Sequence, residues 1–154
     1  LVKLSQKLPS NSNPEKTGGC LFLGLNGFTD NYLIEIGEYD FIKKPKYESF
    51  SQEKAYRLYS DWLRNPLEAV SSWQTRQPEI NKYGGAVAFS RLDEVFKECS
   101  IISFSGLTEF ADEAVSLALG YQLNFRDIKK DNALVKKILE ISNNPLIREM
   151  LEKI

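Results

Sequence analysis

The chain reads as one α+β domain, an antiparallel sheet of about five strands flanked by helices, with an extra C-terminal helical tail. Three observations predict it. Residues 97–120, KECSIISFSGLTEFADEAVSLALG, begin as a β-branched apolar run, break at Ser105-Gly106 and resume as an amphipathic helix with an acidic start. Residues 20–25 form a continuous apolar run, Asn26-Gly27 is a strong two-residue hairpin signal, and residues 31–39 supply the returning strand. Over residues 51–63 the apolar spacing lengthens from two to roughly 3.6, which marks a helix.

In order along the chain, residues 1–19 read as a linker or remnant: a short helix or strand, then SNSNPEKTGG, which offers turn residues without an apolar period. The core domain spans 20–125. After the hairpin, residues 40–47 carry Lys43, Lys44, Pro45 and Lys46 and suit an exposed loop, the basic cluster being solvated surface or, alternatively, an anion contact. The helix over 51–63 takes Ser51 as its cap and sets Ala55, Leu58, Tyr59 and Trp62 on one face, as core packing or as a platform for a flat ligand. Asn65-Pro66 ends it, and residues 67–73 make a second short helix before the polar stretch 74–82. Gly84-Gly85 precedes a strand over 86–90, residues 92–96 form a turn or brief connection, and 99–104 form the next strand.

Thr108 then caps a helix that turns Phe110, Ala114, Val115, Leu117 and Ala118 inward and ends at Gly120. Glu109, Asp112 and Glu113 complement the positive end of its dipole and read as a solvated helix start, which would oppose a phosphate bound there. The tail, 126–154, holds two amphipathic patterns from about Lys129, split at residues 143–145. Helices this short need a surface to pack on, either the core or a partner subunit.

Composition excludes whole mechanisms. A chain of 154 residues buries one sizeable core, and 20 basic against 21 acidic residues leave nothing to draw it toward nucleic acid or an anionic membrane. There is no histidine, so Ser-His-Asp and Cys-His catalysis and histidine-bearing zinc sites are outside its repertoire. Cys20 and Cys99 lie in separate apolar stretches and read as two buried thiols, with a disulfide or redox pair as the alternative. Carboxylates at Asp93, Glu94, Asp112 and Glu113 make no acid–base pair, because helix neighbours point about 100° apart, and Cys99 lacks a neighbouring base. Turnover is therefore not expected. Starting at Leu1, the segment reads as a processed or recombinant piece; residues 1–19 hold no signal peptide or lipidation motif, and a cytoplasmic location is favoured.

Three pieces, in order across residues 20–120, resemble the GlcG/HbpS-type or haem-degrading-domain family, which includes the C-terminal part of some cobalamin adenosyltransferases. They are the Asn26-Gly27 strand pair leading to a helix with Lys54-Ala55-Tyr56, the Gly84-Gly85 pair before a strand, and Ser105-Gly106 followed by Asp112-Glu113, Val115 and Ala118. The resemblance implies a profilin-like or roadblock-like fold that assembles into homo-oligomers. It departs from the family in lacking a long helix before the first strand, in its Asn26-Gly27-Phe28 turn and in the extra tail. Haem is the cofactor that the resemblance suggests, described for some members only, and this chain has no histidine to hold its iron.

The expected function is a non-catalytic small-molecule binding or sensing domain, with a site formed by Tyr56, Tyr59, Trp62, Gly84, Gly85, Ser105 and Gly106. Glycines let backbone approach a ligand, and aromatic faces stack on flat ones. The alternative is an oligomerisation or partner-docking module with no small ligand, built from the tail helices and an exposed sheet edge.

Overall fold

The computed structural model describes residues 1–92, 97–125 and 132–154. Among these, four strands form one antiparallel sheet: β1 (Thr17–Leu25), β2 (Asp30–Glu38), β3 (Ala86–Leu92) and β4 (Lys97–Ser105), in the spatial order β2-β1-β4-β3. The period-two alternation of the strands gives the sheet two apolar faces. Leu21, Val87, Phe89, Ile102 and Phe104 belong to one buried cluster, and Phe22, Ala86, Ala88 and Ile101 to the other. Helix α2 (Lys44–Arg64) covers the second face with Ala55, Leu58 and Trp62. Helix α3 (Glu109–Gln122) covers the first.

Behind α3 lie the chain's two ends. Val2 of α1 (Val2–Ser5) and Leu8 are buried in the α3 cluster, together with Leu134 and Ile138 of α4 (Asn132–Ser142) and Leu146, Ile147 and Met150 of α5 (Pro145–Leu151). Each fully buried aliphatic side chain contributes about 1.5–3 kcal/mol. No helix among the described residues is long and apolar enough to cross a membrane.

Several elements differ from the sequence reading, each for a local reason. Residues 40–47 are not a loop. Asp40 accepts a hydrogen bond from Ile42 N at 3.0 Å to start a 3-10 turn, Phe41–Lys43, and Pro45 sits in the first turn of α2, where its missing N–H costs nothing. Ser51 is consequently no cap; it is buried within the helix, its hydroxyl donating to Glu48 O at 3.0 Å. The β1–β2 turn is longer than two residues, because Leu25 pairs with Asp30 and Phe28 also takes a positive φ. That twist stacks Phe28 on Tyr59 with ring centroids 4.5 Å apart.

Residues 67–73 turn into a 3-10 segment, Ser72–Thr75, capped by Ser71, rather than forming a regular helix. Gly120 does not end α3, which runs on to Gln122; it is small because a Cβ there would stand 2.0 Å from the Phe89 ring. The Thr108 cap and the break between α4 and α5 are present, Thr108 Oγ1 accepting from Ala111 N at 3.2 Å and Asn144 capping α5. The connection at 92–96, with Asp93 and Glu94, lies outside the described residues except for Leu92, as do Lys129 and the start of the tail at 126–131.

Candidate functional site

A lysine interrupts the apolar stripe of α2. Ser51, Lys54, Ala55, Leu58 and Trp62 are its buried positions, and Lys54 is only 2% exposed. A buried ammonium needs partners. Lys54 Nζ donates to Asp112 Oδ2 and to Phe104 O, both at 2.9 Å, while Leu107 N donates to Asp112 Oδ1 at 3.0 Å. The pair ties α2 to α3 at the corner where β4 ends. Asp112 is therefore not part of a solvated helix start: burial pushes its carboxyl above the ordinary range, partly offset by Lys54 and the Leu107 N–H.

Two glycines make room for this corner. Gly85 has φ +122°, and a Cβ there would lie 2.7 Å from Asp112 Cβ and 3.0 Å from Lys54 Nζ. Gly106 has φ +148°, and its Cβ would meet Gly18 O at 2.3 Å, so the chain can pass over β1 here only without a side chain.

Above the ion pair opens a cleft of about 420 Å³. Lys54, Asp112 and Ser105 line it; Tyr47, Phe50 and Tyr83 add aromatic surface, with Phe50 and Tyr83 packed edge to face at 5.2 Å. Lys16, Lys43 and Lys46 also line it. Lys16 Nζ donates to Leu107 O at 2.9 Å, and Lys46 Nζ lies 5.4 Å from the Phe50 ring centre. Glu109, the second carboxylate of the lining, is held by Arg76 at 2.7 Å and by Gly84 N at 2.8 Å. Its burial works to raise the pKa, but Arg76 and the Gly84 N–H outweigh that and keep the carboxyl below its ordinary value.

Glu113, next along α3, is buried on a different side and is likewise no solvated residue. Ser71 Oγ donates to Oε1 at 2.5 Å and Asn144 Nδ2 to Oε2 at 3.0 Å. Burial dominates and raises its pKa despite these bonds. The residue joins α3 to the caps of two other segments, the Ser72–Thr75 turn and α5.

The structure divides the residues expected from sequence. Ser105 and Gly106 line the cleft, Gly85 lies against Lys54 and Asp112, and Gly84 donates to Glu109 while packing on Trp73, whose Nε1 a Cβ would meet at 2.3 Å. Tyr56, Tyr59 and Trp62 do not line it. They sit further along α2: Tyr56 packs on Phe22 and Phe28, Tyr59 donates to Gly27 O at 3.0 Å, and Trp62 Nε1 donates to Ser90 Oγ at 2.6 Å. Missed by sequence reasoning are Lys16, Tyr47, Phe50 and Tyr83. One signal was available, since Lys54 falls in register with Ser51, Ala55 and Leu58 on a face otherwise without charge.

Cys20 and Cys99 are free thiols. Cys20 pairs with Ser105 in the β1–β4 register, so Cys99 lies six positions up β4, roughly 20 Å away at strand rise, too far for a disulfide. Burial pushes the Cys99 thiol up to about 12. Haem does not fit this donor set. Cys20, Cys99 and Met150 do not line the cleft; of the two phenols that do, Tyr47 has its pKa raised, first by burial, and Tyr83 donates its hydroxyl to Asn81 Oδ1 at 3.2 Å. Among the described residues no cluster of three or more metal-binding side chains occurs. No family model, curated protein or solved structure matches the chain.

Proposed function

We propose that this domain binds or senses a small molecule in the cleft over Lys54, without turning it over, in the manner of the GlcG/HbpS-type proteins it resembles. The observation that carries this reading is a cleft of about 420 Å³ built on a buried ion pair and on glycines that admit no side chain. Its volume falls within the range of small-ligand sites. Binding is favoured over chemistry because both lining carboxylates, Asp112 and Glu109, are engaged by Lys54 and Arg76 and leave no unoccupied base. The free thiols accord with a cytoplasmic setting. Amide chemical-shift mapping against a library of small metabolites tests the reading. Saturable shifts clustered at Tyr47, Tyr83 and residues 105–108 are expected, and a library that moves none of them refutes it. Haemin is expected to keep the iron spectrum of the free compound.

Assembly through the sheet edge is a second reading, favoured by β2. Its Tyr32, Leu33 and Ile34 are 52%, 41% and 40% exposed, unusual for large apolar side chains in a strand. The tail helices contribute less than the sequence suggests, because Leu146, Ile147 and Met150 of α5 are buried within the chain. Sedimentation of Ile34→Glu beside the parent chain separates the cases. A shift to lower mass supports assembly by this edge, and an unchanged mass removes it.

A further inference from the structure

We infer that the ligand of this cleft is a small organic anion with at least two negative charges, on carboxylate or phosphate oxygens, attached to a flat apolar body. The inference rests on the binding reading above and goes beyond it in naming the ligand's chemistry.

Charge balance carries the first half. Asp112 and Glu109 line the cleft, yet each is already matched by an internal cation, Lys54 at 2.9 Å and Arg76 at 2.7 Å. Lys16, Lys43 and Lys46 line the same space, and among the described residues none of the three is in an ion pair. The overall charge of the chain is -1, so this positive surplus is local rather than a property of the whole surface. Three cations facing one cleft raise the local concentration of anions and favour multiply charged ones. Lysines are compact point charges without a preferred fork geometry, so they serve carboxylate and phosphate alike.

The donors at the base point the same way. Lys54 Nζ carries three N–H donors and spends two on Asp112 and Phe104 O. Ser105 is 4% exposed, lines the cleft, and makes no hydrogen bond through its hydroxyl among the described residues. A nearly buried hydroxyl left unmatched beside a lysine with a donor to spare is a place for an oxygen acceptor.

The walls carry the second half. Tyr47, Phe50 and Tyr83 present aromatic surface in a cleft too small for a large ligand, and Phe50 is held by Tyr83 on one side and by Lys46 on another. A flat body packs against such rings, with its charges near the lysines.

Titration followed by amide shifts at Ser105 and Tyr47 tests this with five probes: benzene-1,3-dicarboxylate, phenyl phosphate, benzoate, inorganic phosphate and benzyl alcohol. The dicarboxylate or the phosphate ester is expected to bind at least about tenfold more tightly than benzoate or inorganic phosphate, and the better of the two identifies the oxyanion. Lys43→Gln/Lys46→Gln, at two exposed positions, should weaken that probe at least about tenfold while leaving the melting temperature unchanged. Added salt should weaken it too. If benzyl alcohol shifts the same residues as tightly as the dianions, or the double variant leaves the dianion unaffected, the charge assignment falls while the binding reading stands. If inorganic phosphate equals phenyl phosphate, the flat body is refuted. If no probe shifts the cleft and the metabolite library also moves none of it, both fall.

Discussion

Lys54 is almost wholly buried, so its charge needs Asp112 opposite it. Replacing one member of a buried pair leaves the other charged and unmatched, at a cost of about 3–5 kcal/mol. Lys54→Met is expected to lose that much in urea unfolding, and Lys54→Met/Asp112→Asn to recover part of it; equal losses in the single and double variants would show that the two are not coupled. Glu113 makes a prediction about pH. Its folded pKa is raised above the ordinary 4.5, first by burial, so the folded state holds the proton more tightly than the unfolded one. The stabilisation is full below pH 4.5 and fades as pH rises through the folded value. Glu113→Gln keeps an uncharged side chain at every pH, so its stability relative to the parent should grow between pH 5 and pH 8. A difference independent of pH would mean that Glu113 titrates normally.

At the scale of elements, the strand–corner–helix unit of β4 and α3 was legible because a β-branched run, a Ser-Gly break and a Thr cap each act over a few residues. What lay hidden depended on distance in sequence. Asp112 and Glu113 look like ordinary first-turn carboxylates until α2 brings Lys54, and until residue 71 and the cap of α5 bring Ser71 and Asn144. The aromatic stripe of α2 was visible as a stripe. Its partners were not, because Phe28 reaches Tyr59 only through three consecutive positive-φ residues that no local pattern announces. The cleft was visible only in part, at Ser105 and Gly106 and in the basic cluster with Lys43 and Lys46; Lys16, on the approach to β1, and the aromatic walls Tyr47, Phe50 and Tyr83 reach it from segments distant in sequence. The corner itself is testable. Gly106→Ala combines an unfavourable φ with a clash on Gly18 O, so a loss of more than about 1 kcal/mol is expected, read as a lowered melting temperature; an unchanged value would show that the corner yields.

For the whole molecule, the two ends of the chain are structural parts of its α3 side. Removing residues 145–154 would take Leu146, Ile147 and Met150 out of the cluster and strip Asn144 of the helix it caps. At about 1.5–3 kcal/mol for each large apolar side chain, the loss approaches the total stability of an ordinary domain. The truncated chain should show a broad, non-cooperative thermal transition by circular dichroism; a sharp transition at the parent's temperature would mean that α5 is an appendage. The two rims of the sheet are also unequal. Along β3, Val70 O accepts from Ala88 N at 2.9 Å, Ser72 Oγ accepts from Ala86 N at 2.9 Å, and Ser71 bridges to Val87, whereas among the described residues β2 has a strand on one side only. A ribbon with one blocked margin can be extended in a single direction, so backbone joining between molecules would stop at a pair and could not run on into a filament.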